Sequence, residues 1–323
     1  MEQTLYIKNQ NHLNQHHEFK IRKGPDGIHL FNRQNGLNVL LDDEIPPESD
    51  WTLSPRQVSI ALTNECDLRC AHCYAPKHRS TLDKSRVKDW LLEMDSIGVF
   101  GIGFGGGEPT LHQDLVELCK FGQEETKLAI SLTTHGHGLS PELISQLRSH
   151  VNFIRVSMDG TYSNYESIRK RPFKQLLNNL GLLKGRIPFG INYVVNNKTI
   201  EDLASALELS KELGAAEFLI LPEVAVGFGK QIDDVTLSKL KDIVNSRSST
   251  TANMRVSISS DYRNQFVTAI GLQKESDLQG FAHIDASGVF KLSSFDKHGV
   301  PISEDSITNA YHRLTNTIRI ELK

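Results

Sequence analysis

Three cysteines, Cys66, Cys70 and Cys73, lie in one short stretch of a 323-residue chain. Cysteine thiolates are the usual ligands of iron–sulfur clusters, and a 4Fe–4S cluster normally takes four of them. Three thiolates at this spacing can hold three irons and leave the fourth iron open to another ligand. The alternative is a structural zinc site completed by His72 or by a distant fourth ligand. Zinc ligands usually come from two segments far apart in sequence, so the spacing favours an iron–sulfur site with one reactive iron.

The remaining composition limits the class of protein. Only one further cysteine, Cys119, is present, and the four are not spread in pairs as in a disulfide framework. This distribution predicts a reducing compartment, and we expect a cytoplasmic protein. The N-terminus lacks the order of a secretory signal, and no apolar run reaches the roughly 18 residues of a membrane span. The net charge of −3 gives no basic field for nucleic acid, so neither membrane nor nucleic acid is an expected partner.

Strand-like and helix-like segments alternate from residue 57 onward. Continuous apolar runs predict six strands, and an amphipathic segment follows each of them, which is typical of βα units in a parallel sheet. Such a sheet is either doubly wound or an open partial barrel, and periodicity alone does not separate the two. The predicted strands are 58–63, 101–104, 129–132, 153–157, 189–195 and 217–221, and the predicted helices are 87–97, 115–121, 141–148, 173–183, 203–213 and 237–244.

Short β segments flank this region on both sides. Strand-like runs surround a Gly-Pro-Asp-Gly turn signal at 24–27, so the first fifty residues are expected to form a β-rich appendage or lid. We interpret His12, His16 and His17, in a polar stretch, as part of a solvated arm. Toward the C-terminus the pattern predicts a seventh strand at 254–258, a β-hairpin at 281–292 with its turn at 285–288, and a closing helix at 305–314.

Chemically useful residues follow the predicted strands at the edge where reactive groups gather in parallel α/β folds. The cysteine stretch follows the first strand. Gly106, Gly107 and Glu108 follow the second, where the glycines admit a close ligand and the carboxylate can hold an ammonium group. A tight turn into a helix is the alternative for this segment.

The end of the fourth strand offers a second polar group. Ser157 and Asp159 can hydrogen-bond a sugar, although a helix N-cap or an Asx turn explains them equally well. Arg169 follows ten residues later and can bind a carboxylate in a bidentate pair. The alternative for Arg169 is an exposed position on a helix.

Taken together, the cysteine stretch and the following Gly106-Gly107-Glu108-Pro109 segment resemble the radical S-adenosylmethionine enzymes, over about residues 55–235. The Cys73-Tyr74 pair, the 156–160 strand end and Arg169 are similar to the branch that modifies peptides and proteins. The resemblance implies an α/β fold, an open partial (β/α)6 barrel over residues 53–253. A β appendage is expected over residues 1–52, and a C-terminal extension of the SPASM or twitch type over residues 254–323.

The resemblance also implies the cofactors and the residues that hold them. Cys66, Cys70 and Cys73 would bind one 4Fe–4S cluster, and S-adenosylmethionine would bind its open iron. The reactive radical comes from the cofactor, so no catalytic side chain is singled out. The residues expected around S-adenosylmethionine are Gly106, Gly107 and Glu108 at its amino group, Ser157 and Asp159 near its ribose, Arg169 near its carboxylate, His72 packed against its adenine, and Tyr74, Asn192 and Leu221 as further neighbours.

The extension lacks the cysteines that its counterparts use for auxiliary clusters. Residues 280–293 resemble the beginning of such an extension but contain no cysteine, so a single cluster is expected. Enzymes that oxidise a residue or form thioethers tend to use auxiliary clusters, and those reactions lose support here.

A resemblance in residues 29–40 and in the cysteine-free tail implies a splicease, which removes a tyrosine-derived fragment from a ribosomally made precursor peptide. The expected partners are that peptide, a small protein that binds its leader, and an electron donor such as a flavodoxin or ferredoxin. Three alternatives stay open: a peptide epimerase, a radical enzyme for a small molecule, and a non-catalytic iron–sulfur sensor. An epimerase needs a cysteine hydrogen donor, yet Cys119 lies in an apolar helical run and is interpreted as an inert core thiol. The intact Glu108 argues against the sensor.

Overall fold

The computed structural model describes residues 19–246, 254–259, 277–302 and 306–321. The prediction for His12, His16 and His17 lies outside these residues. The strands are β1 (Lys20–Gly24), β2 (Gly27–Phe31), β3 (Asn38–Leu41), β4 (Gln57–Thr63), β5 (Gly101–Gly106), β6 (Ala129–Thr134), β7 (Phe153–Ser157), β8 (Phe189–Val195), β9 (Glu217–Pro222), β10 (Arg255–Ile258), β11 (Phe281–Ile284), β12 (Val289–Lys291) and β13 (Val300–Pro301).

Helices connect the strands of the central region, as the alternating pattern predicts. The helices are α1 (Lys84–Ser96), α2 (Leu115–Glu125), α3 (Pro141–Leu147), α4 (Tyr162–Arg169), α5 (Phe173–Leu183), α6 (Leu203–Leu213), α7 (Asp234–Ser246), α8 (Asp277–Gly280) and α9 (Ile307–Glu321). Sequence analysis missed α4, a short helix with few apolar positions. No helix within the described ranges has both the length and the apolar character that crossing a bilayer requires.

The body of the molecule is a ten-stranded sheet in the order β10-β9-β8-β7-β6-β5-β4-β11-β12-β13. Neighbouring strands from β4 to β10 pair in parallel, and β10 and β13 are the two edges. The sheet is therefore open, as predicted.

Side chains on one face of this sheet are fully buried against helices, whereas residues on the other face are only partly buried. Ile102, Ile130 and Ile154 lie on the face against the helices and are 0–1% exposed. Gly103 and Ser131, on the opposite face, are only half-buried. A doubly wound sheet has helices on both faces, so the one-sided cover identifies an open partial barrel. Below, the half-covered side is called the inner face.

The C-terminal hairpin continues the central sheet. β11 pairs in parallel with β4, from Phe281 beside Gln57 to Ile284 beside Ile60, and turns at 285–288 into β12. Helix α9 follows, and the carboxylate of Glu93 on α1 caps its N-terminus by accepting hydrogen bonds from the Ile307 and Thr308 amides at 2.8 and 2.9 Å. The strands of the predicted extension thus lie in the same sheet as the barrel, and the division at residues 253 and 254 stays a prediction.

The N-terminal strands form a separate antiparallel sheet, β1-β2-β3, which confirms the strand predictions there. Arg33, just after β2, fastens this sheet to the barrel at the end of α2. Its guanidinium donates to the carbonyls of Gln123, Thr126 and Leu128 at 2.7–3.0 Å. The Gln123 carbonyl lies in the last turn of α2, where carbonyls lack partners within the helix, so the contact satisfies it.

Candidate active site

The cysteine loop connects β4 to α1 and is closed at its base. The Asn64 amide donates to the Ser80 carbonyl at 2.9 Å, and the Thr63 and Thr81 hydroxyls lie 2.9 Å apart. All three cysteines lie between these closing contacts. The loop therefore begins and ends at the carboxyl edge of the sheet.

Each cysteine sulfur of the loop accepts one N–H donor. Such hydrogen bonds stabilise a thiolate and tune the reduction potential of a cluster. The donors are the Leu68 amide to Cys66 Sγ at 3.4 Å, the Arg169 guanidinium to Cys70 Sγ at 3.5 Å, and the Lys77 ammonium to Cys73 Sγ at 3.0 Å.

Burial disfavours the thiolate forms of two cysteines in this loop, Cys66 and Cys70. Burial raises the pKa of Cys66 to about 11 and also raises the pKa of Cys70. Metal ligands must be deprotonated, so cluster binding releases the protons of these thiols. The donor set of three thiols with one N–H each fits a 4Fe–4S cluster.

Gly106 and Gly107 bring the end of β5 against the cysteine loop. A Cβ at Gly106, where φ is +120°, would lie 2.3 Å from the Thr63 carbonyl oxygen. A Cβ at Gly107 would lie 2.2 Å from the Glu65 carbonyl oxygen. The Gly107 amide donates to Thr63 at 2.7 Å. Both positions thus require glycine to pack backbone on backbone, and their contact with the amino group of S-adenosylmethionine stays a prediction.

Glu108 is 1% exposed and binds protein donors with both carboxylate oxygens. Oε1 accepts from the Thr110 amide at 3.2 Å and from the hydroxyls of Thr110 and Thr134 at 2.7 and 2.6 Å. Oε2 accepts from the His135 amide at 2.9 Å. The carboxylate therefore joins the ends of β5 and β6, a role that the sequence did not indicate.

We expect Glu108→Gln to have two effects. A side-chain amide places donors where the carboxylate accepts them, which leaves a buried group unpaired and lowers the free energy of unfolding by about 1–3 kcal/mol. The predicted charge-assisted bond to the methionyl ammonium is also lost, which weakens S-adenosylmethionine binding about tenfold to a hundredfold. Isothermal titration of the cluster-loaded variant measures the second effect. An unchanged affinity would move the amino group elsewhere.

A polar segment after β6 completes this edge and was missed by sequence analysis. His135 is 5% exposed, and its Nδ1 accepts from the His137 amide at 3.0 Å. The ring proton is therefore on Nε2, which donates to Asp67 in the cysteine loop at 2.8 Å. Arg171 holds the other Asp67 oxygen at 2.7 Å. Only the position of the segment in the sequence could have indicated it. The segment follows the third parallel strand, β6, just as the other site residues follow parallel strands.

Asp159, Arg169 and His72 form one buried cluster beneath the cysteine loop. Asp159 is 0% exposed, and Arg169 is buried rather than solvent-exposed. One Asp159 oxygen pairs with the Arg169 guanidinium and lies 3.1 Å from His72 Nε2. The other accepts from the Val194 amide at 2.8 Å. The polar residue that follows β7 is thus connected to β8 and, through Arg169, to Cys70.

Asp159, Arg169 and His72, all three predicted to contact S-adenosylmethionine, bind one another in this cluster. Burial disfavours the charged carboxylate, yet Arg169 and His72 keep the pKa of Asp159 well below its ordinary value. Both oxygens of Asp159 have protein partners, so a ribose contact would have to share them. His72 binds this carboxylate with its ring nitrogen, a contact that the prediction of adenine packing did not include. The predicted cofactor roles of all three residues remain untested.

Three other predicted cofactor neighbours, Ser157, Asn192 and Leu221, lie on separate strands, and Tyr74 lies in the cysteine loop. Ser157 and Asn192 are paired neighbours on β7 and β8. Asn192 Oδ1 is buried and has no partner among the described residues, and the same holds for Arg169 Nε. Unpaired buried polar atoms are rare in native proteins, and these two fit a polar ligand at this edge. Leu221 lies in β9, as in the predicted strand 217–221. The Tyr74 ring packs edge-on against Phe295 at 5.0 Å.

Cys119 lies on α2 and is 0% exposed. Burial raises the pKa of its thiol, as the interpretation of an inert core thiol requires.

We expect Cys119→Ala to retain S-adenosylmethionine cleavage and substrate turnover, while the free energy of unfolding falls by about 1–2 kcal/mol through lost burial. Mass spectrometry of the product checks this. A folded variant that makes 5′-deoxyadenosine but no modified peptide would revive the epimerase hypothesis.

The open βα sheet with a three-cysteine loop at its carboxyl edge agrees with the expected resemblance to radical S-adenosylmethionine enzymes. Residues 60–210 match the Radical SAM superfamily, and the chain carries a radical SAM domain. Its cofactors are a 4Fe–4S cluster and S-adenosylmethionine. When bound, the cluster would be held by Cys66, Cys70 and Cys73 and would supply an electron to S-adenosylmethionine.

Curated relatives within this class act on different substrates. The chain is 32% identical over 194 residues to the AdoMet-dependent heme synthase of Methanosarcina barkeri, covering 57% of this chain and 55% of the relative. It is 31% identical over 173 residues to the PqqA peptide cyclase of Ruegeria pomeroyi, covering 50% and 46%. The matched part thus spans about half the length of these relatives.

Solved structures share the fold over more of the chain. Streptococcus suis SuiB bound to precursor peptide SuiA superposes with a TM-score of 0.74 at 14% identity, over 94% of this chain and 89% of SuiB. The structure of anSMEcpe with bound AdoMet and a Cp18Cys peptide gives a TM-score of 0.60 at 18% identity, over 80% and 82%.

Proposed function

We propose that this radical SAM enzyme modifies a ribosomally made precursor peptide and splices out a tyrosine-derived fragment. The observation that carries the peptide substrate is the half-covered inner face of the sheet. Its residues on the central strands are small, such as Gly103, Gly105 and Ser131, and they are half-buried where the helix-facing residues are fully buried. An open trough of this kind admits an extended chain, whereas a metabolite is usually enclosed on most sides.

Two comparisons support a peptide substrate. SuiB, whose fold matches most of this chain, was solved with its precursor peptide SuiA. The PqqA peptide cyclase matches the barrel in sequence. The splicing outcome itself is supported by the resemblance in residues 29–40 and by the cysteine-free tail.

In this proposal the protein supplies placement rather than a reacting side chain. Cys66, Cys70 and Cys73 hold the cluster, while Glu108 after β5 and Asn192 on β8 orient S-adenosylmethionine. The N–H groups that donate to the three sulfurs would tune the reduction potential of the cluster. A small leader-binding protein and a flavodoxin or ferredoxin complete the proposed system.

The test is an anaerobic incubation of the cluster-loaded enzyme with S-adenosylmethionine, a reductant and the small peptides encoded beside its gene. Loss of a tyramine-sized fragment, detected by mass spectrometry, supports splicing. Uptake of one deuterium from heavy water without fragment loss would select epimerisation instead. Cys119→Ala serves as the active control and Cys70→Ala as the inactive one.

A small-molecule substrate is the second candidate, and the heme synthase relative favours it. The same incubation separates the two, because a metabolite enzyme leaves every peptide unchanged. Cleavage of S-adenosylmethionine to 5′-deoxyadenosine separates either enzyme from a sensor.

A further inference from the structure

The seven strands from β4 to β10 contain one carboxylate and two cationic side chains. Glu217 opens β9, while Arg155 lies on β7 and Arg255 on β10. The strand pairing places them in one row, because Arg155 lies opposite Gly190, which lies opposite Glu217, which lies opposite Arg255. We call Arg155, Glu217 and Arg255 the charged row.

The members of the charged row are in contact. Arg155 Nη2 lies 2.6 Å from Glu217 Oε2, and Arg255 Nη1 lies 3.4 Å from Glu217 Oε1. Gly190 on the intervening strand makes the first contact possible. A Cβ there would lie 3.1 Å from the Glu217 Cβ and 3.0 Å from the Phe153 ring, which also packs under the Arg155 guanidinium at 5.3 Å.

The charged row is positive overall and incompletely paired. Two guanidinium groups share one carboxylate, so one positive charge is left over among these strand residues. The Arg155 and Glu217 side chains are 30% and 20% exposed, and Arg155 Nη1 is buried without a partner among the described residues. Charges so placed contribute little to stability compared with apolar side chains, and a buried unpaired donor calls for another explanation.

The charged row lies on the inner face, just below the predicted cofactor neighbours. Ser157 is two residues beyond Arg155, and Asn192 is two residues beyond Gly190. Two residues of a strand span about 7 Å and return to the same face. A substrate in the open trough beneath S-adenosylmethionine would therefore pass over the charged row.

We propose that the charged row binds a carboxylate of the substrate peptide, with Arg155 as the main contact and Glu217 as an internal competitor. This inference rests on the proposed peptide substrate. The carboxylate is either an Asp or Glu side chain or the C-terminus of the peptide, and both present the planar pair of oxygens that a guanidinium binds in two parallel hydrogen bonds.

The test uses the holoenzyme with cluster and S-adenosylmethionine and three defined probes. They are a capped pentapeptide Ala-Ala-Glu-Ala-Ala, its glutamine counterpart, and an acetylated tetra-alanine with a free C-terminus. Isothermal titration should show the glutamate peptide or the free C-terminus binding at least about tenfold more tightly than the glutamine peptide. Whichever probe is preferred identifies the source of the carboxylate.

Three substitutions distinguish a binding role from a structural ion pair. Arg155→Gln should abolish the preference, and the more exposed Arg255→Gln should reduce it about threefold. Glu217→Gln should strengthen binding of the preferred probe about tenfold, because the competing carboxylate is gone. Arg148→Gln, an exposed arginine at the end of α3, should leave the preference intact.

A preference that is absent from the wild type, or that survives Arg155→Gln, overturns the inference. So does a Glu217→Gln variant that weakens all probes equally, which is the result expected of a purely structural pair. If a precursor peptide is modified without any carboxylate preference, this inference alone fails. If the preference is present but no peptide is modified, the proposed function fails, while the carboxylate-binding site in the charged row stands.

Discussion

Replacing Cys66, Cys70 and Cys73 together by alanine is expected to lower the iron bound per chain from about four atoms to none. The three sulfurs lie in one loop closed at its base, and the fourth cysteine, Cys119, is fully buried on a helix. Without the cluster there is no electron for S-adenosylmethionine cleavage, so 5′-deoxyadenosine formation should fall to background. Iron assay and chromatography of the reaction mixture after anaerobic reconstitution measure both losses.

The matched control is Cys119→Ala, which removes one thiol but should keep about four irons per chain. A wild-type chain with about eight irons, or a triple variant that still holds a cluster, would contradict the assignment of a single cluster to this loop.

Asp159→Ala is expected to lower the free energy of unfolding by about 3–5 kcal/mol. Asp159 is fully buried, and its removal leaves the buried Arg169 guanidinium without its carboxylate. The Val194 amide also loses its acceptor. Denaturant unfolding of the cluster-free chain at neutral pH gives the change in stability. The exposed pair of Lys23 and Asp50 offers a control, since Asp50→Ala should change the stability far less than Asp159→Ala does.

The Asp159 contribution should also depend on pH in a defined direction. Its folded-state pKa lies below the ordinary value of 3.8. The stabilisation is therefore complete at pH values above the ordinary pKa and is lost as the pH falls through the folded-state pKa. The difference between wild type and Asp159→Ala should be constant around pH 7 and shrink in acid. A difference that grows in acid would show that the pair does not cause it.

The strand pattern was sufficient to predict the barrel because its signals are local. Buried parallel strands are continuous apolar runs, and every predicted strand from residue 58 to residue 221 is present within a few residues. The cysteine spacing likewise defined the loop at the end of β4. The edge that collects the site follows from the rule that parallel strands end together.

Contacts between segments that are far apart in the chain could not be predicted from the sequence. The pairing of β11 with β4 joins Ile284 to Ile60, and nothing in a short strand specifies a partner so far away. Several partners of Glu108 and Asp159 come from distant segments, such as Thr134 for Glu108 and Val194 for Asp159, so side-chain types alone suggested ligand contacts for both. The contact of His72 Nε2 with Asp159 likewise joins distant segments, and the packing of His72 against adenine stays a prediction.

The parallel pairing of β11 with β4 has a consequence for how the chain can be divided. A fragment that ends at residue 253 would lack β11 and would leave one side of β4 with unpaired amides and carbonyls. β4 carries the apolar residues Val58, Ile60 and Leu62 and runs directly into the cysteine loop. An uncovered apolar edge of this kind recruits other chains into intermolecular sheets. Loss of the C-terminal strand would thus turn the cluster-bearing strand into an aggregation site, and fragments for study should retain residues 277–321.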